Sequence, residues 1–155
     1  MVIQSGYAQE TLGLQVKEGR FYKEGQPYRG VGANYFDLFR RVMNNPTNTT
    51  SLAGLERLSK AGIPFVRFAG PFSAQEWKLY VGHKEEYFKR MDLVFRKAEA
   101  LKIGLIPSLF WTLSLSQLVD EPRSEWGNPQ SKTAALMREY VKDICTRYGK
   151  SPALF

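Results

Sequence analysis

One pattern, repeated three times, constrains this chain more than any other feature: a short apolar run, a long polar and aromatic segment, then a helix-like stretch. The runs are Tyr28–Asn34 (YRGVGAN), Ile63–Ala69 (IPFVRFA) and Leu105–Trp111 (LIPSLFW). Strands alternating with helices argue for a parallel sheet with right-handed crossovers. The middle run carries one charge, Arg67, among β-branched and aromatic neighbours. A charged side chain is almost never fully buried without a partner. Near the end of such a strand, the arginine therefore either snorkels to solvent or meets an anion in a site.

Composition sets the outer limits. A chain of 155 residues is about one domain, and 43% hydrophobic with 24% charged residues is ordinary globular material. The 14% aromatic content suits a large core or a cleft lined with flat side chains. The single cysteine, Cys145, excludes an internal disulfide and a cysteine-rich metal site, and no cluster has metal-ligand spacing. No metal or cofactor is therefore expected. No apolar run approaches the ~18 residues that a membrane span needs. The N-terminus MVIQSGYAQE has neither a basic nor an apolar leader region, so no signal peptide is expected in it, and the compartment stays open. The net charge of +7 raises nucleic acid as a partner, but basic residues are scattered. Over Lys84–Lys102 they interleave with Glu85, Glu86, Asp92 and Glu99, which reads as a solvated helix face. Nucleic acid is not an expected partner.

Taken in order, residues 1–14 read as a lead-in. A small hairpin follows, with its turn at Lys23–Gln26, and leads into a first main strand over Tyr28–Ala33. Gly30 and Gly32 suit a strand whose backbone meets close neighbours. A loop rich in aromatic, basic and Asn residues runs from Asn34 to Thr50. Leu52, Leu55 and Leu58 then mark a helix over Ser51–Ala61, capped by Thr50 or Ser51 and ended by Gly62. After the central strand comes a loop over Gly70–His83. The next helix is Lys84–Leu101, with Tyr87, Met91, Val94, Phe95, Ala98 and Leu101 on one face. Gly104 ends the turn, and Pro107 makes the third strand irregular or locally unpaired there. A second long loop, Thr112–Gln130, precedes a helix over Lys132–Tyr148, capped by Ser131 and burying Leu136, Tyr140, Val141, Ile144 and Tyr148. Long strand-to-helix loops with short helix-to-strand turns are expected when one end of a sheet carries the site, as in (β/α)₈ barrels. No GxGxxG or GxxxxGK[ST] phosphate loop follows the first strand.

Four segments then carry a resemblance: GVGANYFDLF, LERLSKAGIPFVRFAG, YFKRMDLVFRKAEALKIGLIPSLFW and EYVKDICTRYGKSPALF. Their order and spacing resemble the N-terminal half of a glycoside hydrolase family 5 domain, of the cellulase and mannanase type. The resemblance covers residues 15–155 and implies the N-terminal half of a (β/α)₈ TIM barrel with a leading β-hairpin. It implies a retaining hydrolase acting on a β-linked polysaccharide such as mannan or glucan. Arg67 stands where the family has an arginine that orients the nucleophilic glutamate. Asn34 and Tyr35 stand near the sugar sites. Phe110-Trp111-Thr112 replaces a D-x-H-like context, and Trp111 there suits stacking on a sugar ring.

The family's acid/base and nucleophile glutamates end the fourth and seventh strands. Both are expected beyond residue 155, so this chain alone is expected to be inert, or to be an incomplete piece of a longer enzyme. A non-catalytic, carbohydrate-binding partial barrel is the alternative. Trp77 and Trp126, in loops on the same side, are further candidate glycan contacts. Each candidate also has a plainer role. Arg67 suits a solvated strand end, Trp77, Trp111 and Trp126 suit packing, and Asn34 suits capping of its strand. His83 reads as a helix-start residue, Cys145 as a buried packing residue, and Asp120-Glu121 as loop surface. Open strand edges recruit other strands, so self-association is a further expectation.

Overall fold

The computed structural model describes residues 13–111 and 114–155, so the expected lead-in is described only at Gly13 and Leu14, and Thr112 lies outside the described residues. The chain begins with two tight turns. Glu18-Gly19 and Glu24-Gly25 all have positive φ, between 50° and 77°. Two consecutive positive-φ residues match the right-handed twist of the strands they join. The result is an antiparallel meander of β1 (Gln15–Lys17), β2 (Arg20–Lys23) and β3 (Gln26–Pro27). The expected turn at Lys23–Gln26 is present, and a second turn at Glu18-Gly19 divides the arm before it into β1 and β2.

The main sheet is parallel and ordered β4 (Ala33–Asn34), β5 (Phe65–Ala69), β6 (Gly104–Ser108). The register pairs Asn34 with Arg67, Arg67 with Ile106, and Ala69 with Ser108. Only the last two residues of the expected Tyr28–Ala33 and Asn34 run join the ladder. At Gly32 a Cβ would enter the Phe65 ring, so close approach explains that glycine. On the far edge of β6, Leu154 bridges Leu105 in parallel, with Leu105 N–H donating to Ala153 O at 2.7 Å and Phe155 N–H to Leu105 O at 2.9 Å. Gly104 N–H turns the other way, to Pro64 O. By this alternation, the N–H that Pro107 lacks would lie on the open edge, where a proline breaks no bond to β5.

The crossover helices are α2 (Thr50–Lys60), α4 (Lys84–Leu101) and α6 (Lys132–Tyr148), close to their expected bounds. Three more helices occupy the segments expected as loops: α1 (Asp37–Asn44), α3 (Ala74–Gly82) and α5 (Ser114–Leu118), the last followed by a 3₁₀ turn over Arg123–Gly127. The α1 helix forms because Leu38, Phe39, Val42 and Met43 share one face, and all four are buried. The α3 helix starts with a capping box, Ser73 accepting from Glu76 N–H while the Glu76 carboxylate accepts from Ser73 N–H. Gly62 ends α2 as expected, at φ 79°, with Ile63 N–H reaching back to Leu58 O and Gly62 N–H to Ser59 O. Thr49, rather than Thr50 or Ser51, is the N-cap of α2 and makes no side-chain cap bond; Thr50 already belongs to the helix, and its hydroxyl donates to Asn48 Oδ1. The turn after α4 is made by Lys102, at φ 54°, rather than by Gly104, which already belongs to β6.

These helices cover one face of the sheet. Val66, Phe68 and Leu105 point outward and are fully buried against Leu38, Phe39, Leu55, Tyr87 and Met91. The opposite face, with Phe65, Arg67, Ile106 and Ser108, is only half-buried. The architecture is thus the N-terminal half of a (β/α)₈ barrel with a leading antiparallel meander, its sheet open rather than closed. The open side explains two departures from expectation on α6. Its buried stripe is Thr133, Tyr140, Ile144 and Tyr148, whereas Val141 and Cys145 lie on an uncovered flank and are exposed.

A polar seam joins α4 to α6. Arg147 donates twice to Asp92, at 2.8 and 2.6 Å, and the Tyr148 hydroxyl donates to the same carboxylate at 2.8 Å. Lys84 bridges Glu139 and Asp143, and the Tyr80 hydroxyl donates to Asp143. The Arg147 bonds hold Asp92 below its ordinary carboxylate range. For Asp143, burial pushes upward, but the bonds from Lys84 and Tyr80 outweigh it and the net shift is also downward. A depressed native pKa stabilises the fold above the unfolded carboxylate value of ~4, and that stabilisation is lost as pH falls through the native values. Thermal melts should therefore show a Tm that drops between about pH 5 and pH 2. Asp92→Asn should cost about 1–2 kcal/mol at pH 7 and flatten that acid limb. An unchanged acid limb in the variant would remove the seam from the account.

Candidate functional site

The site lies at the C-terminal end of β5, where strand parity turns one charged side chain inward. Arg67 shares its face with Asn34 on β4 and with Ile106 and Ser108 on β6. Its Nε donates to Ser108 Oγ at 2.6 Å, which fixes the orientation of the guanidinium plane. The Trp111 ring centroid lies 4.9 Å from that guanidinium, and the Phe36 ring 5.8 Å. Both are within cation–π range. Arg67 makes no ion pair with any described residue, although four other arginines, Arg40, Arg41, Arg90 and Arg147, each do. A guanidinium held by Nε keeps its outer N–H groups for a planar anion, and the geometry suits a carboxylate.

Backbone bonds close the rim around it. Tyr35 N–H donates to Arg67 O at 2.8 Å, Ala69 N–H to Phe36 O at 3.4 Å, and Gly70 N–H to Ser108 O at 2.9 Å. These bonds continue the ladder past the strand ends and bring the segments after β4, β5 and β6 together. Their aromatic side chains meet there. Phe36 lies 4.9 Å from Trp111, centroid to centroid, and Phe72 stacks near it at 6.3 Å and 28°. Arg40 lies 5.0 Å over the Phe72 ring and pairs with Glu76 at 2.9 Å. Trp111 is 41% exposed, so this cluster presents a flat apolar face to solvent beside a fixed cation. Such a face suits the C–H-rich side of a sugar ring, with polar groups at its margin for hydroxyls.

The sequence candidates separate in space. Arg67, Asn34 and Trp111 belong to the C-terminal rim, with Asn34 exposed at the end of β4. Tyr35 is half-buried, and its hydroxyl rests against Gly54 of α2, so its ring serves the helix layer. Trp77 is 1% exposed. It stacks on Phe110 at 11° and meets Tyr80 and Tyr140 edge-on, so no ring face remains for a sugar. The expectation of a loop contact fails at Trp77 because its segment is a helix whose inner face packs into the core. Trp126 sits half-buried in the 3₁₀ turn, and its indole Nε1 is buried without a hydrogen-bond partner among the described residues. His83 lies exposed between α3 and α4. Glu121 is more than loop surface: its carboxylate accepts from Lys132 N–H, Thr133 N–H and the Thr133 hydroxyl, capping α6.

Sequence reading passed over Ser108, Phe36, Phe72, Arg40 and Glu76 as site residues. Ser108 could not be found without the register that sets it against Arg67. Glu76 had a signal, the Ser73-x-x-Glu76 capping box. Among the described residues no three His, Cys, Asp or Glu side chains gather as a metal would require, and no helix is long and apolar enough to cross a membrane.

Neither a family model nor a curated protein matches the sequence. Solved structures do. The endo-1,4-β-mannanase from Rhizomucor miehei superposes at TM-score 0.67 with 15% identity, over 92% of this chain and 46% of that one. A mutant glycoside hydrolase family 5 mannosidase from Rhizomucor miehei, in complex with mannosyl-fructose, superposes at TM-score 0.55 with 12% identity, over 93% of this chain and 40% of that one. The chain therefore spans less than half the length of both, and at these identities the likeness is one of fold: part of a glycoside hydrolase-like (β/α)₈ barrel.

Proposed function

We propose that residues 15–155 form the N-terminal half of a retaining glycoside hydrolase domain acting on a β-linked polysaccharide such as mannan or glucan. The observation that carries this reading is Arg67: a guanidinium fixed by Ser108, flanked by Trp111 and Phe36, and without an ionic partner among the described residues. In this role Arg67 orients a nucleophilic carboxylate, Trp111 carries a sugar ring, and Asn34 bonds a hydroxyl at the rim. Retaining cleavage needs two carboxyl groups about 5–5.5 Å apart, one as nucleophile and one as proton donor. Both would be supplied from beyond residue 155, so this chain supplies binding and orientation.

A non-catalytic, carbohydrate-binding partial barrel is the second reading. It draws on the exposed Trp111 face, which needs no carboxylate to hold a sugar. The two readings part on whether Arg67 acts on a protein carboxylate or on the glycan itself.

Titration calorimetry with β-1,4-linked mannohexaose and cellohexaose tests the shared core. Binding of at least one, without release of reducing ends, is the expected outcome for this chain. Trp111→Ala should weaken binding by about tenfold, the loss of roughly 1–2 kcal/mol of ring contact. Failure of both oligosaccharides to bind, at millimolar concentration, would end the carbohydrate assignment. Arg67→Lys, which removes the donor to Ser108, separates the readings. Glycan affinity should stay within about twofold if Arg67 serves a protein carboxylate, and fall by about tenfold if it grips the glycan.

A further inference from the structure

Among the described residues, Glu76 is the one charged side chain that is almost fully enclosed, with 4% of it exposed. Its Oε1 accepts from Arg40 Nε at 2.9 Å and from Asn44 Nδ2 at 3.3 Å. Its Oε2 accepts from Phe72 N–H at 2.5 Å and Ser73 N–H at 3.0 Å. Starting a helix requires only the Ser73 bond. The other three donors lie outside α3: two on α1, in the insertion after β4, and one on the segment after β5. One carboxylate thus ties together the two insertions that bear the aromatic rim. Phe36 precedes α1 and meets Trp111, Phe72 stacks near Trp111, and Arg40 reaches back over Phe72.

The chemistry at position 76 is demanding. All four neighbours are donors, so an acceptor-only group is needed. An amide would present its own N–H₂ to donors on one side or the other. A shorter carboxylate would not reach both insertions at once. Nothing in the start of a helix asks for this much.

We propose that Glu76 is a positioning residue that sets the geometry of the Phe72–Trp111 face by holding Phe72 and Arg40 in place. The positioning stands on the contacts alone. Its consequence for ligand affinity rests on the glycan reading given above.

The test compares Glu76→Gln with Ser73→Ala. The first removes one acceptor oxygen at nearly constant volume. The second removes the reciprocal half of the capping box and leaves all four donors on Glu76. Thermal denaturation gives the stability loss of each. Acrylamide quenching of the Trp111 emission, identified by difference with Trp111→Phe, reports the rim directly. Mannohexaose titration reports its function. Glu76→Gln should alter Trp111 quenching and weaken mannohexaose binding by about tenfold, the loss of one charged hydrogen-bond set. Ser73→Ala should lower Tm and leave both readouts unchanged. Equal effects of the two variants, or unaltered Trp111 quenching in Glu76→Gln, would overturn the proposal. If Glu76→Gln does not fold, Arg40→Met reads the same link from α1, and unaltered quenching there is equally fatal. If the unsubstituted chain binds neither mannohexaose nor cellohexaose while Glu76→Gln alone shifts Trp111 quenching, the positioning role stands and the glycan reading falls.

Discussion

The two faces of β5 govern the rest of the molecule. Alternation along a strand sends Val66 and Phe68 to one side and Phe65 and Arg67 to the other. The outward pair is fully buried under α1, α2 and α4, which is where the apolar free energy of this fold is gained. A shift of register by one residue would place Arg67 beneath those helices and Phe68 in the open. Burying an unpaired guanidinium there would cost more than the strand could return. The charge at position 67 therefore specifies the register as firmly as the apolar residues do, and it places a cation at the rim as a consequence of folding.

The same economy shows in how the other charges are held. The seam between α4 and α6 pairs Asp92 with Arg147 and Tyr148, and Asp143 with Lys84 and Tyr80. The stacked Phe95 and Tyr148 rings, 3.8 Å apart, lie beside it. Each partly buried carboxylate meets several donors, so its desolvation is offset by more than one bond. Arg67 differs. It has a hydroxyl and two aromatic rings as neighbours but no carboxylate among the described residues. In a protein that satisfies its other buried charges so fully, that contrast gives the rim its functional reading.

Much of the layout was legible in order along the chain. The bounds of α4 followed from apolar spacing, those of α6 from apolar spacing and the Ser131 cap, and the central strand from its β-branched and aromatic content. Three helices in the strand-to-helix segments were not. The eight residues of α1 hold its four apolar positions among an aspartate, two arginines and an asparagine, too short a stretch for a period to stand out. The α3 signal was present in Ser73 and Glu76 but was outweighed by the aromatic residues around it, which suggested a binding loop. Trp77 was misplaced by that reading: α3 packs against α4 and α5, and an aromatic residue on its inner face belongs to the core. Cys145 erred in the opposite direction, since neighbouring helix positions point about 100° apart and the flank beyond Ile144 is uncovered.

The amino-acid sequence by itself determined the alternation of strands and helices, the side on which long segments gather, and the presence of an arginine at the end of the middle strand. These are local properties, set by side-chain period, turn chemistry and the cost of burying charge. Only the tertiary structure decided that Ser108 holds Arg67, that Phe36, Phe72 and Trp111 meet, and that Glu76 joins two insertions 32 to 36 residues apart from its partners Asn44 and Arg40. Those contacts depend on strand register and on how the inserted helices pack, and long-range geometry of that kind leaves no period in the chain for a reader to find.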